Sequence, residues 1–205
     1  MSRRLGRRFF RRDPVALARA LLGRRLVRRL DDGARLAGRI VEVEAYLGVE
    51  DRAAHTYGGR RTARNAAMWG EAGSAYVYFT YGMHHCVNVV ADRVGVPTAV
   101  LIRALEPTEG LARMTGHRAT KIDASRLKPT DLCSGPAKLA QALAIDRRLD
   151  GEDLTRSRRL WIEGERSASP ASIAASPRVG VAYAGEWADR PLRFHLADSP
   201  HVSRP

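Results

Sequence analysis

Residues 26–46 constrain the fold of this chain more than any other stretch. Two β-rich runs, residues 26–30 and 35–46, flank Asp31-Asp32-Gly33, the kind of turn that closes an antiparallel hairpin. Within GRIVEVEAYLG (residues 38–48) a period of two sets Ile40, Glu42, Glu44 and Tyr46 on one face and Val41, Val43 and Ala45 on the other. The valine face reads as core. Carboxylates are poor strand formers, so two at alternate positions need a reason. A solvated face is the commoner one; Tyr46 and the following His55 favour a functional face instead.

The rest of the chain repeats the hairpin theme. Residues 75–80 and 86–91 predict a second hairpin with its turn around Gly82, and residues 99–105 an apolar strand stopped by Glu106-Pro107. Short strands are expected at 160–163, 178–183 and 192–196, with the Ser- and Pro-rich stretch 167–177 as a connector. Asp13-Pro14 ahead of Val15, Leu17, Ala18, Leu21 and Leu22 predicts a capped helix ending at Gly23. Ser134 can cap another, running to Ile145 with Pro136 in its first turn and Leu139, Ala142 and Leu143 inward. Residues 116–129 are polar and basic and read as a surface loop. Hairpins interspersed with helices predict an α+β fold: a single domain around a curved, mostly antiparallel sheet.

Charge is segregated along the chain. Residues 1–30 hold eleven arginines and one acid, whereas the remainder is close to neutral; the whole carries +13. A basic N-terminal arm (residues 1–12, whose order the sequence leaves open) ahead of one domain spanning 13–205 suggests a polyanionic partner. An arginine-favouring composition explains the three lysines but not the segregation. No apolar run approaches the ~18 residues of a membrane span, and the arginine-rich start has no apolar signal core. Two cysteines, Cys86 and Cys133, fit reduced thiols of a cytoplasmic protein better than a disulfide scaffold.

Several residues could carry chemistry. SAYVYFTYGMHHCVNVV (residues 74–90) gathers three tyrosines at a hairpin end. Tyr76 reads as an ordinary strand aromatic, but Tyr81, at the turn beside Gly82 and Met83, could wedge between stacked bases. His84-His85-Cys86 does not converge on a metal, because neighbouring strand residues face opposite ways. Arg103 is the one charge in an otherwise apolar run and calls for a partner such as Glu44; a structural ion pair and a functional role are equally open. SGPAKL, with Lys138, sets backbone N–H groups at a helix start, which attracts phosphate, though many such starts bind nothing.

Taken together, GRIVEVEAYLGVEDRAAHTYGGRRTARN, YVYFTYGMHHCVNVV, LIRALEPTEGL, LCSGPAKLAQALAI and RVGVAYAGEWADRPLRF resemble the alkyladenine (3-methyladenine) DNA glycosylases, in order, from about Leu5 to Ser203. The resemblance implies a protruding hairpin that enters the minor groove, and excision of 3-methyladenine, 7-methylguanine, hypoxanthine and ethenoadenine from duplex DNA. It implies that Glu44 is the general base, with Arg103 and the Val179 carbonyl holding the attacking water. Tyr46, His55 and Tyr78 would contact the flipped base, and Asn88 would crowd the 2-amino group of normal guanine. Tyr81 would fill the gap in the stack, and Arg60, Thr62, Met83 and Lys138 would lie near the DNA backbone or the intercalation site. Two departures stand out. His84 and His85 replace residues that are often aromatic, so the grip of the hairpin on DNA is expected to differ. The linker between Asn88 and Arg103 is a little long, at the expected edge of the pocket.

A carboxylate at Glu44 suits both stabilisation of an oxocarbenium-like sugar and deprotonation of water. With no lysine near the expected pocket motifs, a Schiff-base lyase step is not expected, and the abasic site is left intact. No cofactor or metal is called for, and the expected state is a monomer. The alternatives are a non-catalytic nucleic-acid-binding module, which has no use for an acid inside a basic groove, and a formyltransferase-like domain on a similar fold.

Overall fold

The computed structural model of the protein describes residues 3–120, 123–164, 168–169 and 172–204. Among them nine strands form one antiparallel sheet. They are β1 (Arg3–Arg4), β2 (Arg25–Arg29), β3 (Arg35–Tyr46), β4 (Ala75–Thr80), β5 (His84–Val90), β6 (Ala99–Glu109), β7 (Leu160–Gly164), β8 (Ile173–Ser176) and β9 (Arg193–Leu196). The order is β1-β7-β2-β3-β6-β5-β4, with β9 on β3 and β8 on β9. Strand β3 is the hub. One edge pairs with β6, and the other serves β2 along residues 35–39 and β9 along residues 42–44. One long strand can feed two partners on the same edge only by twisting between them. Register shifts against β6 on either side of Glu42 provide that bend.

Both expected hairpins are present, β2–β3 and β4–β5. The helices are α1 (Arg7–Phe10), α2 (Pro14–Leu21), α3 (Leu111–Arg118), α4 (Pro129–Leu132) and α5 (Pro136–Ala142). Asp13 caps α2 by accepting from the N–H groups of Val15 and Ala16, with Pro14 in the first turn, as its sequence dictates. Leu17, Ala18 and Leu21 of α2 and Leu139 and Ala142 of α5 are fully buried in one core with Ile40, Val43, Val87 and Ile102. Each large apolar side chain buried in this way contributes roughly 1.5–3 kcal/mol. The opposite face of the sheet carries a small cluster of Val27, Ala37 and Trp161. The guanidinium groups of Arg4, Arg29 and Arg35 cover that tryptophan.

Several expectations change. The basic N-terminal segment is packed on the body: Arg3 and Arg4 pair with β7, Phe10 is buried, and Arg7 binds Asp153 at 2.6 Å. Met1 and Ser2 lie outside the described residues. Strand β6 does not stop at Pro107 but runs through it; Pro107 sits opposite Gly38, at a register shift where a ladder donor is dispensable. Helix α5 is shorter than expected and is preceded by Gly135 rather than capped by Ser134, which bridges Ala104 instead. The polar stretch 116–129 takes up the end of α3, a 3-10 turn at Ala124–Arg126 and the first residue of α4; Lys121 and Ile122 are outside the described residues. Residues 178–183 form no strand, and within the connector residues 173–176 are one, because β9 offers them a partner. No described helix is long and apolar enough to cross a membrane.

Candidate active site

Neither face of β3 is solvated at its C-terminal end. Glu42 and Glu44 have no exposed surface at all. A buried carboxylate must be paired or neutralised, and the surroundings of Glu44 do this in three ways. The Val179 N–H donates to Oε1 at 2.7 Å, the Tyr46 hydroxyl donates to Oε2 at 2.9 Å, and a terminal nitrogen of Arg103 lies 3.1 Å from Oε1. Burial nevertheless dominates and pushes this carboxyl above the usual carboxylate range, against the pull of Arg103, the Val179 N–H and the Tyr46 hydroxyl. Glu42 goes the other way. Burial would raise it too, but the Ser203 N–H, Arg103 and Arg193 together hold it below its ordinary value. Two carboxylates two residues apart are thus driven apart in acidity, the pattern that separates an ionised anchor from a proton acceptor.

In front of Glu44 lies a cavity of about 270 Å³ whose walls include Tyr46, His55, Tyr78, Arg103 and Val179, with Tyr81 at its rim. Glu44 sits behind Tyr46, Arg103 and Val179. The aromatic walls are fixed by contact: the rings of His55 and Tyr78 meet edge to face at 4.6 Å, and Tyr76 lies 5.3 Å from Tyr78. Nδ1 of His55 is 2.7 Å from the Tyr76 hydroxyl. Burial, with Arg64 and Arg60 adding to it, lowers His55 to about 4, so the ring is neutral at neutral pH. Burial also raises the Tyr76 hydroxyl. The protonated hydroxyl and the neutral ring share one hydrogen bond, in which either group can be the donor.

The Val179 N–H is presented by a clamp. Arg178 and Asp51 form a fully buried two-pronged ion pair at 2.6 and 2.8 Å, and Arg178 also donates to the Ala45 carbonyl. Its guanidinium lies 4.7 Å from the centre of the Tyr46 ring. This clamp is the physical reason that residues 178–183 are no strand: Arg178 is drawn into the interior, and the chain turns around it.

At the tip of β4–β5, Tyr81 and Gly82 both have positive φ, 52° and 67°, and the Met83 N–H closes the turn on the Thr80 carbonyl. Gly82 takes that conformation freely; a tyrosine does not. Tyr81 is 84% exposed and Met83 66%.

The other expected site residues are distributed around this centre. Arg60 and Thr62 line an adjoining cleft of about 310 Å³ with Arg52, Arg64 and Tyr183. Met83 borders a groove on the other side of the hairpin with His84, His85 and Arg118. Lys138 is not a wall, although Pro136, two residues before it, is one; its amine donates to Ser134 Oγ at 3.2 Å. Asn88 is not a wall: it is buried below, donating to the Tyr76 carbonyl at 3.0 Å. The stretch between Asn88 and Arg103 packs against Trp69 and Thr56 and contributes one wall, Leu101.

The sequence model of the methylpurine-DNA glycosylase family matches residues 8–200. The chain belongs to that family. Among curated relatives, the DNA-3-methyladenine glycosylases of Mus musculus and Homo sapiens are each 52% identical over 98% of this chain. The chain spans only 62% and 68% of their lengths. A putative 3-methyladenine DNA glycosylase of Desulfitobacterium hafniense (strain Y51) is 48% identical over 98% of both chains. Within this family member, sequence reasoning missed Asp51, Arg178, Arg193, Ser203 and Tyr183, and took Tyr76 for a plain strand aromatic. The Glu42–Glu44 alternation was visible; the tail residue that meets it had no signal.

Proposed function

We propose that this protein is a monofunctional DNA glycosylase that turns an alkylated or deaminated purine into the cavity and hydrolyses its bond to deoxyribose. The observation that carries this reading is Glu44: a fully buried carboxyl of raised basicity, fixed directly behind an aromatic slot the size of one base. Its volume is near the lower end of the roughly 300–1,000 Å³ of ligand sites, suited to a single heterocycle. The basic cleft beside it, with Arg52, Arg60 and Arg64, suits a duplex phosphate backbone.

In this reading Tyr81 occupies the vacancy left in the stack, offsetting the few kcal/mol of unstacking. The purine N9–C1′ bond breaks with its electron pair going to the base. Water adds to C1′ as Glu44 accepts its proton, leaving an intact abasic sugar; a cationic lesion departs as the neutral base, and a neutral lesion departs as an anion that takes its proton from water. Arg103 has three of its five donors engaged by Glu42, Glu44 and Ser203 among the described residues, which leaves N–H groups to hold that water. Lesions that are cationic, such as 3-methyladenine, leave readily; hypoxanthine and ethenoadenine are the neutral substrates expected.

The test is a duplex with one hypoxanthine opposite thymine, enzyme in excess, and alkali to reveal abasic sites. Strand cleavage by the wild type and none by Glu44→Gln, with lesion binding kept, is the expected result. A Glu44→Gln rate near that of the wild type would remove the acid from its role. Borohydride trapping of a protein–DNA adduct would refute the monofunctional step.

A further inference from the structure

Behind Glu44, on the side away from the cavity, Glu42 gathers four donors. Arg103 Nε and Arg193 Nε each reach Oε1 at 2.8 Å; Ser203 donates its N–H to Oε2 at 2.5 Å and its hydroxyl to Oε1 at 2.8 Å. Arg103 is correspondingly held by three residues. Its Nε is on Glu42, one terminal nitrogen is on Glu44, and the other donates to Ser203 Oγ at 3.1 Å. Arg193 also donates to the carbonyl of Arg204, so the tail around Ser203 is tied down from both sides. A planar guanidinium with two nitrogens on a rigid anchor has no freedom left in where it aims the third. Its distance from Glu44 is therefore set by Glu42 and Ser203, neither of which lines the cavity.

We propose that Glu42 and Ser203 are positioning residues for base excision: together they clasp Arg103 from behind and share its charge, so that Glu44 is oriented but not over-neutralised. The proposal rests on Glu44 being the proton acceptor. If Arg103 paired with Glu44 alone, the acid would be a weaker base, because an undivided opposite charge favours its ionised form. Glu42 takes up that excess and is itself balanced by Arg193.

The groups that face Glu44 are Tyr46 and Glu42 from β3, Arg103 from β6, Tyr78 from β4, Cys86 from β5, and Arg178 and Tyr183 from the segment before β9. Those that face Glu42 are Arg103, Arg193, His195 and Ser203. Of all these, Glu42→Gln alters one charge and preserves volume. It removes a like charge from Glu44 and frees Arg103 for it, and both changes lower the Glu44 carboxyl.

The experiment measures single-turnover excision of hypoxanthine from duplex DNA against pH, together with affinity for a duplex holding a tetrahydrofuran abasic analogue. For Glu42→Gln the expected result is an acid limb moved down by about one pH unit, a plateau reduced about ten-fold or more, and affinity within two-fold of wild type. Ser203→Ala should slow the plateau several-fold, and Ser203→Thr, which keeps the hydroxyl, should restore it. Should Glu42→Gln fail to fold, the serine pair and its pH profile decide alone. Unchanged rates and limbs beside an inactive Glu44→Gln overturn the clasp and leave the glycosylase reading standing. A slower rate with no movement of the limb and no rescue by threonine also overturns it, since that is the mark of a merely structural anchor. An active Glu44→Gln defeats the reading on which the proposal rests.

Discussion

Replacing Tyr81 with asparagine should make the protein no less stable while impairing its hold on damaged DNA. Tyr81 and Gly82 occupy the two central positions of a turn in which both φ angles are positive, 52° and 67°. Asparagine-glycine is the pair that such turns prefer. Holding a bulky L-residue in the left-handed region costs roughly 1–2 kcal/mol, most of which asparagine avoids. The ring gives little back to the fold, being 84% exposed; at ~25 cal/mol per Å² its few buried atoms contribute under about 1 kcal/mol. The net is a gain of zero to about 1 kcal/mol, or up to about 2–4 °C in melting temperature for a chain of this size. Against that, in the proposed role of the ring as a stacking wedge its loss forfeits about 1–3 kcal/mol, some five- to 150-fold in affinity for a duplex carrying an abasic analogue. Calorimetry gives the first quantity and fluorescence anisotropy the second. A melting temperature lowered by several degrees would show that the ring holds the hairpin together, and undiminished affinity would show that it does not enter the stack. Either result refutes the reasoning.

Four further outcomes follow from the structure. Asp51→Asn leaves Arg178 buried without its counter-charge and should destabilise by about 3–5 kcal/mol in urea unfolding; a loss under 1 kcal/mol would show that the clamp is dispensable. Phe10→Ala, in a segment that the charge pattern marks as an arm, should cost about 3–5 kcal/mol because the ring is fully buried, and an unaltered midpoint would detach that segment from the core. Gly110→Ala puts a β-carbon against Leu36 and 2.8 Å from the Arg35 carbonyl at φ +79°, so a loss of about 2 kcal/mol or more is expected by thermal melting. His55, lowered to about 4 in the folded protein against 6.5 otherwise, contributes stability that is complete above pH 6.5 and drains away as pH falls towards 4. Between those limits wild type should lose on the order of 2–3 kcal/mol more than His55→Gln, and parallel pH profiles of the two would contradict the lowered value.

The parts legible in the sequence are those whose cause is local. The β2–β3 and β4–β5 hairpins carry their turn residues with them, and α2 carries Asp13, Pro14 and a spaced apolar face. The illegible parts depend on a distant partner. Helix α3 has a polar sequence with Met114 as its one buried residue, and it forms where Gly110 turns the chain against β3. Strand β8 lies in Ser- and Pro-rich sequence and exists because β9 offers an edge. Arg178 reads as part of a strand until Asp51, 127 residues away, draws it inward. Around the cavity, Tyr46, His55, Tyr78, Arg103 and Val179 are walls with Glu44 behind them, but Val179 presents its N–H to Glu44 where a carbonyl holding water is expected, and Asn88 is not a wall.

The alternation of Glu42 and Glu44 therefore has a meaning that neither residue has alone. Period two puts both acids on one side of β3, close enough for a single guanidinium to touch each. Were their surroundings equal, mutual repulsion in a buried site would leave their ionisation shared and ill-defined. The register shifts flanking Glu42 and the tail beyond β9 make the surroundings unequal. One acid receives two arginines and a serine, the other a tyrosine hydroxyl, a single backbone N–H and part of one arginine. The strand places the pair, but the fold decides which member is held the more acidic and which the more basic. A sequence that kept both glutamates and lost Arg193 and Ser203 would retain the motif without that division of labour.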